Sequence, residues 1–493
     1  MTQLPPARQR PRRRVRPGIV TYLAGSILVP LPALADGAQG GAAPAAPTVN
    51  TGLIGTLFAP SRTNLLGDMG GLRPALDQYG ISLSIQEISE VFGNVTGGTN
   101  RAAEYDGLTT LALALDTEKA FGWQGGTFNV SALQIHGRNL SDEVLDSIQT
   151  ASGIEADRAT RLWELWYQQA FLDGQADVKI GQQSLDQEFM ISQNAALFAN
   201  TMMGWPTIPS VDMYAGGPGY PLSSLGVRLR ARPTDALTIL AGVFDDNPTG
   251  GSFANATQLR GAAQSGTAFN LDTGALWIAE LQYAINQPVA NAPANAPPPS
   301  GLPGTYKIGV WFDTGSFPDQ RYDDNGLSLA NPASDGQPLM RRHDFSLYGV
   351  ADQMVWRPDP QSPQSVNVFA RVMGAPPDRN LVNFALNAGV TLKAPLPGRD
   401  NDTFGIGYGL ASVSSRASGL DRDIAFYSGS PYPIRGSESF IEVTYQAQLA
   451  PWWQVQPDFQ YVFTPSGGIP NPNQPGQRIG NEAILGLRTT VTF

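Results

Sequence analysis

The sequence has no cysteine, only two histidines and a small share of charged residues, 15% of its 493. Without cysteine it can form neither disulfide bonds nor thiolate metal sites. The two histidines, His136 and His343, lie far apart in the chain and so offer no pair of neighbouring imidazoles. These absences argue for a protein that uses no metal and no cofactor.

Basic residues are also scarce. The 32 lysines and arginines are outnumbered by 42 aspartates and glutamates, which gives a formal net charge of -10. Beyond the first 16 residues, no basic stripe interrupts this acidic balance. Proteins bind nucleic acids mainly through Lys and Arg contacts to phosphates, so we expect no nucleic acid partner.

Long apolar runs are missing outside the N-terminus. A membrane-spanning helix needs about 20 consecutive apolar residues, and no such stretch follows the first 35 residues. Because backbone polar groups must be satisfied inside a bilayer, only helices and closed barrels can span it. If this chain crosses a membrane, it must therefore do so as a barrel.

The N-terminus has the pattern of a secretory signal. Six arginines within the first 16 residues precede the apolar stretch "IVTYLAGSILVPLPALA", which ends in small residues before Asp36. A basic front, a short apolar stretch and a small-residue end are typical of a cleaved signal peptide. We predict a signal peptide over residues 1–35, a flexible Ala/Pro/Gly-rich segment over residues 36–60 and one outer-membrane barrel domain over residues 61–493.

Alternation of apolar and polar residues dominates the rest of the chain. Residues 440–463, "FIEVTYQAQLAPWWQVQPDFQYVF", alternate on both sides of a short turn and so predict a β-hairpin. Similar segments recur along the chain and predict about 16 strands after a short helix within residues 64–80. Alternation alone does not separate a soluble sandwich from a membrane barrel, because both bury one face of each strand.

The final strand favours the barrel. Residues 481–493, "NEAILGLRTTVTF", alternate and end on Phe493, which resembles the C-terminal assembly signal of outer-membrane barrels. The secretory signal, the low charge and a Trp452–Trp453 pair at the position expected for an aromatic girdle support the same choice. We predict an all-β fold, a transmembrane antiparallel barrel of about 16 strands with a short N-terminal helical segment. Side chains cannot fill a barrel of this width, so we expect a water-filled lumen.

Several motifs resemble one known family. They are "LLGDMGGLRPALDQYGI", "FGWQGGTF", "RLWELWYQQ", "KIGQQSLDQEF", "GVFDDNP", "YKIGVWFDTGSF", "APPDRNLVNFALNAGV" and the C-terminal "ESFIEVTYQAQLAPWWQVQPDFQYVFTPSGG". In order and spacing, the chain resembles the carbohydrate-selective porins of the OprB family. The resemblance implies passive diffusion of sugars across the outer membrane of a Gram-negative bacterium into the periplasm, through an eyelet with charged residues. Expected partners are the sugars, the outer-membrane lipid and, through Phe493, the barrel assembly machinery; association into homo-oligomers stays open.

Strand parity selects candidate pore-lining, substrate-binding residues. Arg and Lys can donate to sugar hydroxyls, whereas Asp and Glu can accept from them. Asp186 and Glu188 follow a predicted strand, where a loop could fold inward and narrow the channel or bind a neighbouring arginine. The full set is Glu164, Lys179, Asp186, Glu188, Arg228, Arg230, Arg371, Glu442, Asp458 and Arg488.

Other functions have less support in the sequence. An outer-membrane barrel enzyme would need a nucleophile beside one of only two histidines. A structural barrel with a blocked lumen would need a sizeable plug, and a soluble sugar-binding β protein would need no signal for barrel assembly. The "GIGYG" stretch at residues 405–409 lies within a strand pattern and opens no helix, so we interpret its glycines as relieving crowding and not as a nucleotide loop.

Overall fold

The computed structural model describes residues 62–287 and 301–493. The predicted signal peptide and the predicted flexible segment both lie outside these ranges, and so both stay predictions. No helix in the described ranges is both long and apolar enough to cross a bilayer.

Sixteen strands close into one antiparallel barrel, as predicted, and two short strands form a hairpin outside it. The strands are β1 Ile81–Gly98, β2 Ala103–Asp116, β3 Gly126–Gly137, β4 Ala159–Phe171, β5 Ala176–Gln183, β6 Ser224–Ala231, β7 Leu237–Asp245, β8 Ala275–Ile285, β9 Gly304–Asp323, β10 Pro338–Trp356, β11 Ser365–Gly374, β12 Val382–Lys393, β13 Thr403–Val413, β14 Ser437–Ala450, β15 Trp453–Phe463, β16 Pro470–Asn471, β17 Gln474–Arg478 and β18 Gly480–Thr492. The hairpin, β16 and β17, lies in the connection between β15 and β18. Strand β18 pairs with both β15 and β1, so the C-terminal strand closes the barrel.

Within residues 62–287 and 301–493, five short α-helices accompany the strands. They are α1 Leu72–Asp77, α2 Thr117–Phe121, α3 Thr201–Gly204, α4 Thr207–Asp212 and α5 Ser415–Ser428. The first is the helix predicted before β1. This helix also holds the C-terminus in place, because its residue Arg73 donates a hydrogen bond to the backbone oxygen of Phe493.

The barrel is apolar outside and polar inside, which is the reverse of a soluble protein. Ile441 is 37% exposed, whereas the next residue, Glu442, has no exposed surface. On β9, Ile308 is 65% exposed, and on β18 Leu487 is 54% exposed. Successive side chains of a strand point to opposite faces, so the period of two places apolar residues toward lipid and polar residues toward the lumen.

The two rims of the barrel differ in the length of their connections. At one rim β4 and β5 are joined by residues 172–175, and β14 and β15 by residues 451–452. At the other rim β5 and β6 are joined by residues 184–223, and β7 and β8 by residues 246–274. Short turns face the periplasm and long loops face outward in barrels of this class. We call these the short-turn rim and the long-loop rim.

The connection between β5 and β6, residues 184–223, folds into the barrel and is called the inner loop below. It carries α3, α4 and a 3-10 turn at Leu185–Gln187. Trp205 and Ile208 of the inner loop are fully buried against inward apolar side chains of the wall, among them Trp311 and Tyr348. This packing explains why several inward positions of β7 to β11 are apolar, although the lumen as a whole is polar.

Two sequence expectations about side-chain direction were wrong. Strict alternation along β4 places Trp163 on the face opposite Glu164, but a bulge in this strand sets both residues against Ser131, and Trp163 packs inside on Tyr220. A bulge adds one residue to a strand and therefore shifts its parity. Trp452 was expected in the aromatic girdle, yet it is 8% exposed and lines the lumen, because it lies in the turn before β15.

Candidate functional site

Inward carboxylates of the wall hold the inner loop by its backbone. Glu442 on β14 accepts hydrogen bonds from the amides of Ala199 and Asn200, at 2.5 and 3.2 Å. Asp352 on β10 accepts from the amides of Gln193 and Asn194. In the same way Glu280 accepts from the amide of Met190, and Glu164 from that of Ser184. In the reverse direction, Asp212 of α4 in the loop accepts from the amides of Leu381 and Val382. Buried carboxylates are stabilised by such donors, so these acids fix the loop inside the barrel.

Arg371 on β11 holds the same loop by its carbonyl groups. Its guanidinium donates to four backbone oxygens of the loop and to the Asn387 side chain, and the residue is 1% exposed. The carbonyl partners are those of Met190 at 2.9 Å, Gly204 at 2.6 Å, Met203 at 3.2 Å and Met202. One planar guanidinium with five donors can satisfy several carbonyls at once, so Arg371 acts as a clasp on the loop.

The glycines of "GIGYG" on β13 make room for the inner loop. A Cβ atom built on Gly405 would lie 2.6 Å from Leu197 Cδ2, and one on Gly407 would lie 2.7 Å from Met203 Cε. Gly409 faces the ring of Phe440 in the same way. The sequence interpretation that these glycines relieve crowding is confirmed, and the crowding comes largely from the loop in the lumen.

A charged cluster lies where the inner loop leaves β5. Glu188 of the loop contacts both Lys179 Nζ and the Arg228 guanidinium, and Arg228 Nη2 donates to Glu188 Oε1 at 3.0 Å. Asp177 bridges Arg228 to Arg230, with 2.5 Å between Asp177 Oδ2 and Arg230 Nε. Burial alone would raise the pKa of Glu188, but Lys179 and Arg228 outweigh it and hold that pKa at about 2. Glu188 therefore stays ionised at neutral pH.

Asp186, two residues before Glu188, has a different role. Its carboxylate accepts from the Ser184 hydroxyl at 2.6 Å and from the Tyr220 amide at 3.0 Å. Burial raises the pKa of Asp186 to about 6, although these donors oppose the shift. The residue is 1% exposed, so it ties the two ends of the inner loop together and does not face the lumen.

A cavity of about 650 Å³ remains between the inner loop and one side of the wall. The charged residues at its surface are Glu164, Lys179, Glu188 and Arg488. Two indoles, Trp166 and Trp452, also line it. The cavity reaches the short-turn rim, because Pro451 and Thr492 belong to its lining. A drug-sized or smaller ligand commonly occupies pockets of about this volume.

Four of the ten predicted site residues thus line the cavity, and the other six do not. Arg228, Arg371, Glu442 and Asp458 point inward, as their parity predicts, but each is at most 5% exposed. Asp186 is buried with the loop ends, and Arg230 lies beside Asp177 outside the cavity lining. The physical reason is the inner loop, which covers part of the inward face that parity alone assigns to the pore.

The sequence candidates missed the uncharged part of the lining. Seven glutamines line the cavity, namely Gln86, Gln187, Gln193, Gln446, Gln448, Gln454 and Gln456. Four of them belong to the polar face of the C-terminal hairpin, so the period of two could have found them. Within the described ranges, no three acidic or histidine side chains come close enough together to hold a metal ion.

Solved structures resemble this architecture over most of its length. The high-pH structure of Pseudomonas putida OprB has a TM-score of 0.75 at 23% identity and covers 88% of this chain and 99% of its own. The low-pH structure of the same protein has a TM-score of 0.53 at 18% identity over 88% of this chain and 100% of its own. These two similarities show the barrel fold.

Sequence comparison identifies the family. Porin B of Pseudomonas aeruginosa is 26% identical over 467 residues, which is 88% of this chain and 92% of that protein. The family profile described as "Carbohydrate-selective porin, OprB family" matches residues 100–493. That match spans most of the chain and all of the barrel from β2 onward. The chain therefore belongs to the OprB family of carbohydrate-selective porins of the Gram-negative outer membrane.

Proposed function

We propose that sugars cross this porin through the 650 Å³ cavity beside the inner loop, and that Lys179 and Glu188 form its charged constriction, with Arg228 holding Glu188 in place from behind. The observation that carries the proposal is the position of Glu188. It is the one member of the predicted set that belongs to the inner loop, lines the cavity and contacts cations of the wall. The constriction thus joins loop and wall at one point.

The chemistry of the cluster suits a weakly bound neutral solute. Lys179 is 8% exposed in its side chain and Glu188 is 21% exposed, so both can still meet a passing molecule. A sugar hydroxyl can donate to the carboxylate and accept from the ammonium group. Because the two groups already pair with each other, they stay in place without a sugar and release it readily.

Lys179 also covers one of the two indoles of the cavity. Its Nζ atom lies 4.6 Å from the ring centroid of Trp166, within the range of a cation–π contact. The contact adds a further constraint on the ammonium group. We infer that Lys179 presents its charge from a fixed position, which favours selection by chemistry as well as by size.

Family membership favours a channel over the enzymatic alternative, and the open cavity favours it over a blocked lumen. Cleavage after residue 35, recognition of the Phe493 strand by the assembly machinery and association into homo-oligomers remain proposals. N-terminal sequencing of protein extracted from outer membranes tests the first: an N-terminus at Asp36 supports cleavage there, and an intact Met1 contradicts it.

Single-channel conductance in planar bilayers tests the transport proposal. We expect neutral sugars to reduce the wild-type conductance saturably, and polyethers of equal size not to do so. Lys179→Met should weaken the sugar block about fivefold, which corresponds to one hydrogen bond of typical strength. The matched control is Lys119→Met, which removes an ammonium group from an exposed ion pair with Asp77.

Two results would contradict the proposal. If sugars leave the wild-type conductance unchanged, the cavity is not a sugar path. If Lys179→Met and Lys119→Met show the same sugar block as the wild type, the charged cluster is not part of the constriction.

A further inference from the structure

A groove on the outer, lipid-facing side of the barrel crosses four strands, β6 to β9. Its volume is about 300 Å³, and its lining is apolar. The register sets its outward side chains in two rows, with Leu229, Ala241, Ala279 and Val310 nearer the short-turn rim and Val227, Val243, Trp277 and Phe312 nearer the long-loop rim. We call this surface the outer groove.

Small side chains form the floor of the outer groove. Ala241 and Ala279 lie opposite each other in the register, between Leu229 on one side and Val310 on the other. Leu229 is 51% exposed and Trp277 is 54% exposed, so larger side chains stand out from the wall around this floor. Burial of apolar surface drives little binding inside a bilayer, where van der Waals packing decides association. A narrow apolar chain packs well into such a depression.

An aromatic contact closes the long-loop end of the outer groove. The imidazole of His343 stacks on the Phe312 ring, with 5.3 Å between the ring centroids and 29° between the planes. His343 lies at an irregularity in the pairing of β9 and β10 and has a φ of 65°. Arg379 fixes this backbone, because its guanidinium donates to the carbonyls of Arg342, at 2.9 Å, and of His343. Aromatic side chains such as Trp277 and Phe312 are typical of the boundary between the hydrocarbon and the headgroups.

Arg342 is an exposed cation beyond this aromatic end. It pairs with Ser316, and the next residue along β9, Phe317, is fully buried inside the barrel, so the register places Arg342 on the outer face. Within residues 62–287 and 301–493, its guanidinium takes part in no ion pair and no side-chain hydrogen bond. Its neighbour Arg341 is instead paired with Asp319 at 2.8 Å. Arg342 therefore offers an uncompensated positive charge at the level of the headgroups, where it attracts anionic lipid.

We propose that the outer groove and Arg342 bind one phosphorylated lipid of the outer leaflet. Part of an acyl chain lies in the groove, and the Arg342 guanidinium donates to a phosphate oxygen pair. The imidazole of His343 offers a further N–H donor beside it. The order of groups on the barrel, an apolar groove, then aromatic rings, then a cation toward the long-loop rim, matches the order of chain and headgroup in such a lipid. This site lies outside the lumen, so it does not depend on the proposed transport function.

Native mass spectrometry of the full-length protein in detergent tests the headgroup contact. The probes are bisphosphorylated lipid A and the same lipid A after enzymatic removal of its phosphates, and the readout is the Kd of the first bound lipid. Arg342→Met should raise the Kd for the bisphosphorylated form about fivefold, the typical contribution of one arginine near a membrane surface. It should leave the Kd for the dephosphorylated form unchanged. Arg101→Met is the matched control, because it removes an exposed cation from the connection between β1 and β2, at the same rim on the opposite side of the barrel.

A second variant tests the groove. Ala279→Phe fills the floor and should weaken binding of both forms of lipid A, because the acyl chain loses its packing surface. Ala388→Phe is the matched control, since it adds the same ring to the outer face of β12, beside the inward Asn387 and away from the groove. We expect Ala388→Phe to bind lipid like the wild type. All four variants change residues outside the cavity, so their conductance and sugar block should equal those of the wild type.

Three results would overturn the lipid site. If Arg342→Met binds both forms of lipid A like Arg101→Met, the phosphate is not recognised there. If Ala279→Phe binds lipid like Ala388→Phe, the groove does not hold the acyl chain. If Ala279→Phe instead dissociates oligomers of the wild type and leaves lipid binding unchanged, the groove is a contact between copies of this chain. Failure of the transport proposal is seen separately, as a wild-type conductance that sugars do not reduce.

Discussion

The clasp formed by Arg371 makes the sharpest prediction, because one side chain holds four carbonyl groups of the inner loop. Arg371→Met keeps a long apolar stem and removes every donor. Hydrogen bonds from a charged donor contribute about 1.5–3 kcal/mol each, and loss of one partner of a buried charged contact typically costs about 3–5 kcal/mol. Water can solvate the freed carbonyls once the loop moves, so we take the lower end, about 3 kcal/mol.

A loss of about 3 kcal/mol raises the ratio of released to docked loop about 100-fold, since 1.4 kcal/mol corresponds to a factor of ten. A released loop leaves a wider lumen. Single-channel records of Arg371→Met should therefore show openings larger than the wild-type level, at about 100 times the wild-type frequency, and weaker sugar block during them. Arg371→Lys should lie between the two, because three ammonium donors cannot satisfy all the partners of a guanidinium.

Arg399→Met is the matched control for the clasp. Arg399 also forms an ion pair, with Asp402 at 2.7 Å, but it lies in the turn between β12 and β13 and does not contact the inner loop. We expect its conductance to equal that of the wild type. The reasoning is refuted if Arg371→Met conducts like the control at every voltage, because the loop would then be held without its carbonyl contacts.

Two further predictions concern the constriction and the fit of the loop. Lys179 and Arg228 outweigh the effect of burial and depress the pKa of Glu188 to about 2. The stabilisation that ionised Glu188 gives to the constriction is therefore complete above the ordinary carboxyl pKa, and it is lost only as the pH falls through about 2. The conductance ratio of Glu188→Gln to the wild type should thus be constant from pH 5 to pH 8, and a change across that interval would count against the pairing. Gly407→Leu should displace the inner loop and lower the unfolding temperature, because overpacking costs about 1–3 kcal/mol. Gly374→Leu is the control and should have little effect, because a Cβ atom at that position meets no atom within 4 Å. Equal unfolding temperatures for the two leucine variants, measured by loss of heat-resistant mobility on gels, would contradict the close fit.

Some charged groups support the fold in a way that neither strand parity nor the family resemblance indicates. Glu438 accepts the amides of Ile148, Gln149 and Ser466, which belong to two different long-loop connections. Each of these contacts joins residues that are far apart in sequence. Contacts of that kind have no local sequence signal, and only the closed barrel brings their partners together.

The sequence by itself determined the architecture. Because side chains alternate across a strand, a period of two was enough to predict a barrel of about 16 strands and to assign Glu442 inward and Ile441 outward. It was also enough to mark Asp186 and Glu188 as the start of a segment that could enter the lumen. Local bulges limited this reasoning, as Trp163 shows, since one added residue changes the direction of a side chain without a visible change in composition.

Only the tertiary structure decided which inward groups reach the cavity. Arg371 and Lys179 both have inward parity, yet the inner loop covers Arg371 and leaves Lys179 at the cavity surface. Parity states the side of the wall on which a residue lies, but not what lies in front of it. That depends on how residues 184–223 pack against strands distant in sequence, through contacts that exist only after the barrel has closed.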